Sequence, residues 1–180
     1  MQTSKLIITY AVTMLIFASV SAGILALTHQ LTEHKRIANM QQREFLARQE
    51  LVPTAVSFVP AKAHDYRFTK GLNKDKMVAG YLLKAVRRGY SSNIETLIAV
   101  NNDFSIMAIK VLAQNETPGL GAKIETPWFT KQFGLLKGTA IAVRKDGGAI
   151  DALTGATISS RAVAESVRLE VASFQKAMQK

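Results

Sequence analysis

The 180-residue chain has no cysteine. That excludes disulfide staples, thiolate nucleophiles, cysteine-ligated zinc and cysteine-held iron–sulfur clusters. Histidine is nearly as scarce. His29, His34 and His64 are the only three, and none has the spacing to carboxylates that a metal site needs. Redox chemistry in such a chain has to be carried by an organic cofactor. Acids are outnumbered, 13 against 23 Lys and Arg, for a formal charge of +10. The excess is visible from Lys62 to Arg88, where eight basic residues meet only Asp65 and Asp75. Aromatics are not interleaved with these cations and no nucleic-acid motif accompanies them, so no nucleic-acid partner is expected. The stretch reads as a solvated face near a negatively charged membrane surface.

Charge is absent altogether from Leu6 to Leu27, a run of 22 residues. At about 1.5 Å per residue it spans the roughly 30 Å hydrocarbon core of a bilayer. Val20-Ser21-Ala22 offers a small-residue cleavage site, so a signal peptide competes with a retained anchor. The run continues past that site and exceeds the usual ~7–15 residues of a signal peptide's apolar region, which favours a single-span anchor. Lys5 precedes the run, and Lys35, Arg36, Arg43 and Arg48 follow it. A plain count would put the C-terminal side in the cytoplasm, but the count loses force before a long domain. Charge alone leaves the orientation open.

The chain divides by pattern into an anchor (1–28), a stalk helix with a linker (29–61) and a folded domain (62–180). Thr28 to Glu50 is polar and lacks Gly and Pro, as a helix leaving the bilayer would. Pro53 and Pro60 bracket an extended linker, Val52 to Ala61. The domain reads as α+β. Met77–Val86 and Ile94–Val100 are rich in β-formers. Asn101-Asn102-Asp103 is a turn, and Phe104–Leu112 alternates as a returning strand, so an antiparallel meander is expected. Its alternation puts Phe104, Ile106, Ala108 and Lys110 on one face. Thr126-Pro127 marks the start of a short helix that stops at Gly134. Thr139–Arg144 reads as a strand, Asp146-Gly147 as a hairpin turn and Ala149-Ile150 as its return. A last helix from about Ser160 carries Val163, Val167, Val171, Phe174 and Met178 on one stripe.

Two segments carry more than their local structure requires. In Asn115-Glu116-Thr117-Pro118-Gly119-Leu120-Gly121, Pro-Gly favours a type II turn with Gly119 at positive φ. The second glycine, Gly121, is not explained by that turn. Two glycines allow backbone N–H groups to approach a ligand closely. Asp151-Ala152-Leu153-Thr154-Gly155-Ala156-Thr157-Ile158-Ser159-Ser160 leads into the last helix. An ordinary loop with Ser159 or Ser160 as N-cap accounts for part of it. The helix N-terminus also suits a phosphate, Gly155 and Ala156 remove bulk beside it, and Thr157 places a hydroxyl there.

In this order, and after an N-terminal anchor, the two segments resemble the G subunit of Rnf-type electron-transport complexes. That family carries an FMN-binding domain shared with the C subunit of the sodium-pumping NADH:quinone oxidoreductase, whose chains are longer. The resemblance covers the anchor and roughly Arg67 to Met178. It rests on Glu-Thr-Pro-Gly-Leu-Gly at Glu116–Gly121 and on the flavinylation pattern at Asp151, Thr154, Gly155, Ala156 and Thr157.

The resemblance implies an N-terminal transmembrane helix followed by a small FMN-binding domain with an antiparallel sheet and flanking helices. It implies FMN joined through its phosphate to the Thr157 hydroxyl by a separate flavin transferase that uses FAD. Asp151, Thr154, Gly155 and Ala156 would form the segment that enzyme reads. Glu116, Thr117, Leu120 and Gly121 would line the flavin site, with Lys145 near it. No catalytic side chain and no metal are implied. The protein would be an electron relay among other membrane subunits of an ion-translocating ferredoxin/NAD oxidoreductase. It would be a single-pass protein of the inner membrane, in contact with lipid, its FMN domain on the extracytoplasmic, periplasmic side. Other readings are an anchored flavoprotein serving a different acceptor, the sodium-pump C subunit, and a scaffold without flavin.

Overall fold

A computed structural model describes the backbone of residues 2–179, and the side chains of residues 7–179 apart from His34. The side chains of Lys5, Leu6 and His34 lie outside that description. The chain falls into two compact units, Met1–Arg43 and Glu44–Lys180. Helix α1, Gln2–Leu51, carries the apolar run and the polar stretch after it without a break, as the lack of Gly and Pro between Thr28 and Glu50 predicts. It is long and apolar enough to cross a membrane: its best 18-residue window has a mean hydropathy of 2.1, none of it buried.

In the second unit, five strands form one antiparallel sheet in sequence order: β1 Ser57–Ala63, β2 Tyr66–Leu72, β3 Val78–Arg88, β4 Asn93–Val100 and β5 Ile106–Ala113. The expected meander is β3–β4–β5. β1 and β2 were not expected. They occupy the presumed linker and the basic stretch, where Pro60 and a row of cations mask the alternation. Pro60 belongs at an edge: β1 is one of the two edge strands, and a proline and Lys62 there discourage pairing with another chain.

The expected single alternation along β5 fails at two points: Leu112 is extra between the Thr96–Val111 and Glu95–Ala113 pairs, and a second break falls at Met107. Ala99 pairs with Ala108 and Val100 with Ile106, so Met107 is the extra residue of a bulge. The bulge lets Ile106 and Ile109 share the same core despite their odd spacing.

Two cores flank the sheet. Ala47 and Leu51 from the end of α1, with Val52 and Ala55, pack on Leu82, Leu97 and Ala99. The larger core joins Leu83, Ile94, Ile98 and Val100 to α2 (Pro127–Thr130) and α3 (Thr157–Met178). Val163, Val167, Val171 and Phe174 face it as their spacing predicts, whereas Met178 at the helix end is exposed. Phe174 sits among aromatics, 5.0 Å from both Phe68 and Tyr81 between ring centroids. The Tyr66 hydroxyl donates to Glu170 at 2.6 Å, and burial with that carboxylate pushes its pKa up.

Thr126 and Pro127 start α2 as expected, and a 3₁₀ turn, Lys131–Phe133, carries the chain to Gly134. The Thr126 hydroxyl turns back to the Lys123 carbonyl instead of capping. The strand expected at Thr139–Arg144 is replaced by 3₁₀ turns at Gly138–Ala140 and Arg144–Asp146, with one parallel bridge, Val143 to Ile150. Close backbone packing explains this. A Cβ on Gly148 would lie 2.0 Å from the Ala142 carbonyl oxygen, so the two segments approach too tightly for a regular hairpin. The last helix starts at Thr157, three residues before the expected Ser160.

Candidate functional site: a cleft between two glycine turns

The turn Thr117–Leu120 is closed by the Leu120 N–H donating to the Thr117 carbonyl at 3.2 Å, with Gly119 at φ 76°. This is the geometry that Pro118-Gly119 predicts. A second turn, Leu153–Ala156, is closed by the Ala156 N–H at 3.0 Å, with Gly155 at φ 75°. The two turns meet: a Cβ on Gly155 would stand 3.1 Å from Cδ2 of Leu120. Beside this contact lies a cleft of about 580 Å³, lined by Tyr90, Glu116, Thr117, Leu120, Gly121 and the run Gly155–Ser159.

Helix α3 begins in the wall of that cleft. Ala156 is its N-cap and no side chain caps it, so the positive end of the helix is left for another acceptor. Thr157 is the first helical residue and is half-buried. Ser159 and Ser160 follow inside the first turn, fully buried, and neither is the N-cap. The Ser160 hydroxyl accepts from the Leu153 N–H at 3.0 Å and donates to the Ala156 carbonyl at 2.9 Å, which pins the loop to the helix.

Glu116 is 5 % exposed and fastens three segments. One carboxylate oxygen accepts from the N–H groups of Ser91 and Ser92 at 3.0 and 2.9 Å and from the Ser92 hydroxyl at 3.3 Å. The other accepts from the Tyr90 N–H at 3.1 Å and the Ser159 hydroxyl at 2.6 Å. Burial pushes the carboxyl up, but the Ser159 hydroxyl and the three N–H groups outweigh it and hold the pKa below the ordinary value. None of these partners is a cation.

Two glycines are shaped around this carboxylate. A Cβ on Gly89 would fall 2.7 Å from Oε1 of Glu116. One on Gly121 would fall 2.8 Å from the Ser159 hydroxyl and 2.8 Å from Cβ of Glu116. The second glycine of the hexapeptide therefore has a reason within the protein itself.

The cleft gathers Glu116, Thr117, Leu120, Gly121, Gly155, Ala156 and Thr157 from the residues marked in the sequence. Thr154, Asp151 and Lys145 are exposed and are not among its lining residues. Asp151 is held by Arg144 at 2.6 Å, and its N–H donates to the Gln132 side chain at 2.7 Å. Lys145 sits on the 3₁₀ turn Arg144–Asp146. Tyr90, Ile158 and Ser159 line the cleft without having been singled out. Ser159 stood in a marked segment but was read as a cap, and Gly89-Tyr90-Ser91-Ser92 carries no motif that marks it in the sequence. Tyr90 and Ile158, 66 % and 53 % exposed, give the mouth of the cleft an apolar rim.

Two family models match the chain: the RnfG N-terminal region over residues 1–49 and the FMN-binding domain over residues 89–170. The chain is 36 % identical to the G subunit of the ion-translocating oxidoreductase complex of Methanosarcina acetivorans, over 95 % of its own length and 96 % of the relative's. To the G subunit of the same kind of complex in Shewanella piezotolerans it is 31 % identical, over 92 % and 88 %. Among solved structures, the C subunit of the Na(+)-translocating NADH-quinone reductase of Parabacteroides distasonis superposes with a TM-score of 0.54 at 25 % identity, covering 66 % of each chain. NqrC of Shewanella oneidensis superposes at 0.51 with 21 % identity, over 71 % of this chain and 73 % of that one, a likeness of fold. With identity extending along almost the whole of both chains, this chain belongs to the family of G subunits of ion-translocating oxidoreductase complexes.

Proposed function

We propose that this protein is a membrane-anchored electron-transfer subunit of an ion-translocating oxidoreductase complex, carrying FMN as a phosphoester on Thr157. The single observation that carries the reading is the placement of Thr157. This half-buried residue opens an uncapped helix in the wall of a cleft of about 580 Å³. That size is within the roughly 300–1,000 Å³ typical of small-molecule sites. The residues suit the group chemically. The helix end and its free N–H groups favour a phosphate. Leu120, Ile158 and Tyr90 offer apolar contact to a planar ring system.

FMN supplies one- and two-electron transfer when bound. The chain's own task is to hold it. A covalent tether on Thr157 keeps the cofactor whatever its redox state, and no side chain has to act as acid, base or nucleophile toward a separate substrate. Asp151 and Thr154, exposed beside the cleft, remain available to a flavin transferase that reads the Asp151–Thr157 segment. Lys145, on its exposed turn, is available to attract an anionic cofactor only at longer range.

The apolar helix α1 supports the anchor, and an extracytoplasmic domain follows from the family resemblance. The partners are the other subunits of the complex and the surrounding lipid. The G-subunit relatives, at 31 % and 36 % identity, favour this complex over the sodium pump. In-gel flavin fluorescence of the denatured full chain, co-expressed with a flavin transferase, tests the assignment. A fluorescent band is expected, and a dark band from a folded, co-expressed chain would refute it.

A further inference from the structure

We infer that Glu116 is a positioning residue: with Ser159, Gly89 and Gly121 it forms one clamp that sets where α3 presents the Thr157 hydroxyl, and it does not itself touch the cofactor. This rests on the reading of Thr157 as the attachment site. Glu116 belongs to the hexapeptide that faces the cleft, so the obvious role for it is a ligand. The geometry points elsewhere. A carboxylate offers about four lone-pair sites. Glu116 already accepts five hydrogen bonds from Tyr90, Ser91, Ser92 and Ser159. Its acceptor sites are therefore taken up within the protein, and although Glu116 contributes to the wall of the cleft it is only 5 % exposed.

What those bonds join is informative. Tyr90–Ser92 is the β3–β4 turn, Glu116 leads into the first glycine turn, and Ser159 lies in the first turn of α3. Thr157 is two residues from Ser159 in the same rigid helical turn, so fixing Ser159 fixes Thr157. Gly89 and Gly121 each lack the Cβ that would wedge this junction apart. Four residues from three parts of the sequence thus serve one contact. Burying a carboxylate without a counter-cation costs free energy, and its backbone donors offset that cost only while the junction is closed. The clamp is therefore closed or broken, with little between.

The test uses the full chain in detergent, with Glu116→Gln, Ser159→Ala and the double variant. Gln is isosteric and keeps one carbonyl oxygen, but its NH₂ cannot accept, so either the Tyr90 N–H or the Ser91 and Ser92 N–H groups lose their acceptor. Two quantities are read. One is amide hydrogen exchange of the flavin-free chain. The other is the rate of FMN attachment by a flavin transferase with FAD, as maximal rate and as half-saturating chain concentration.

In Glu116→Gln, amides of residues 90–92 and of Ser160, which donates to the Ala156 carbonyl, are expected to exchange about tenfold faster, while those of β4 and of Val163–Val171 keep their protection. The maximal attachment rate is expected to fall about tenfold with little change in half-saturation, as misplacement of a reacting group does. The double variant is expected to be no worse than the worse single one, because both break one unit. Slower attachment with unchanged exchange would mean that Glu116 acts by direct contact and would overturn the proposal. Faster exchange with unchanged attachment would also overturn it, since the clamp would then not govern Thr157. A wild-type chain that takes up no FMN on Thr157 would instead refute the attachment reading on which the proposal stands.

Discussion

Gly121→Ala adds one methyl group where the structure has no room for it. The new Cβ would lie 2.8 Å from Cβ of Glu116, 2.8 Å from the Ser159 hydroxyl and 3.1 Å from Oε2 of Glu116. The first two are closer than real Cβ contacts allow, so something has to move. The neighbours are not loose side-chain ends. The Ser159 hydroxyl is on a helix whose Val163, Val167 and Val171 are packed in the core. Glu116 is held from the other side by the Tyr90–Ser92 N–H groups. The Glu116–Ser159 hydrogen bond, 2.6 Å long, is the contact that gives way. Overpacking costs about 1–3 kcal/mol, and the loss of a hydrogen bond to a charged group about 1.5–3 kcal/mol, so a total of about 3 kcal/mol is expected. For a domain of this size that lowers Tm by roughly 10 °C.

Gly119→Ala is the control, two residues away in the same hexapeptide. Nothing lies within 4 Å of a Cβ there, and the only penalty is φ 76°. An alanine in the left-handed region costs about 1–2 kcal/mol. Thermal unfolding of the two full-length variants, followed by circular dichroism in the same detergent, measures the difference. Gly121→Ala has to be the less stable of the two. Equal melting points, or a more stable Gly121→Ala, would refute the packing of the hexapeptide against Ser159.

Further outcomes follow from the same geometry. The Glu116 carboxyl is held below its ordinary value of 4.5, so its contribution to stability is complete above that pH and is lost as pH falls through the lowered folded-state value. Melting curves between pH 3 and pH 6 (about this range spans the carboxylate titrations) should decline in the wild type and decline less in Glu116→Gln; parallel curves would contradict the assigned hydrogen bonds. Phe174→Ala should cost about 3–5 kcal/mol, because the ring is fully buried with Phe68, Tyr81, Tyr66 and Phe104 all within 6 Å between centroids, and chemical denaturation measures it. The full chain should stay with membranes in high salt and leave only with detergent, since salt screens surface charge but does not extract a spanning helix; release of the intact chain by salt alone would rule out the anchor.

The parts of the fold that sequence reasoning reached are those where local pattern and tertiary demand agree. The β-former runs of β3 and β4, the valine stripe of α3 and the positive φ of Gly119 follow from residue preference, side-chain period and turn sterics. The parts it missed depend on partners distant in the chain. β1 carries the proline of an edge strand and β2 is interrupted by cations, which hide a strand's period. Ile141 and Val143 look like strand residues, yet Gly148 presses so closely on Ala142 that only one bridge forms. Met107 is invisible as a bulge until β4 is laid beside it. At the site, the turn at Gly119 was legible because Pro118-Gly119 specifies backbone shape locally, and the marked residues Gly155, Ala156 and Thr157 do line the cleft. Ser159 and the Tyr90–Ser92 amides were not, because their role exists only once Glu116 arrives from another part of the chain.

The central claim is that Thr157 carries the cofactor, and the structure narrows the rivals. Ser159 and Ser160 are buried, and their hydroxyls already donate to Glu116 and to the Ala156 carbonyl. Thr154 is exposed on the second glycine turn, on the far side of Gly155 from the helix. Thr157, half-buried, lines the cleft and is the first residue of α3 after its uncapped start. The direct measurement is peptide mapping by mass spectrometry of the full chain co-expressed with a flavin transferase, for the wild type and for Thr157→Ala and Thr154→Ala. The account predicts FMN on Thr157 in the wild type, none in Thr157→Ala, and FMN still on Thr157 in Thr154→Ala, at a level that depends on how the transferase reads that residue. FMN found on Thr154, Ser159 or Ser160 of the wild-type chain would contradict it.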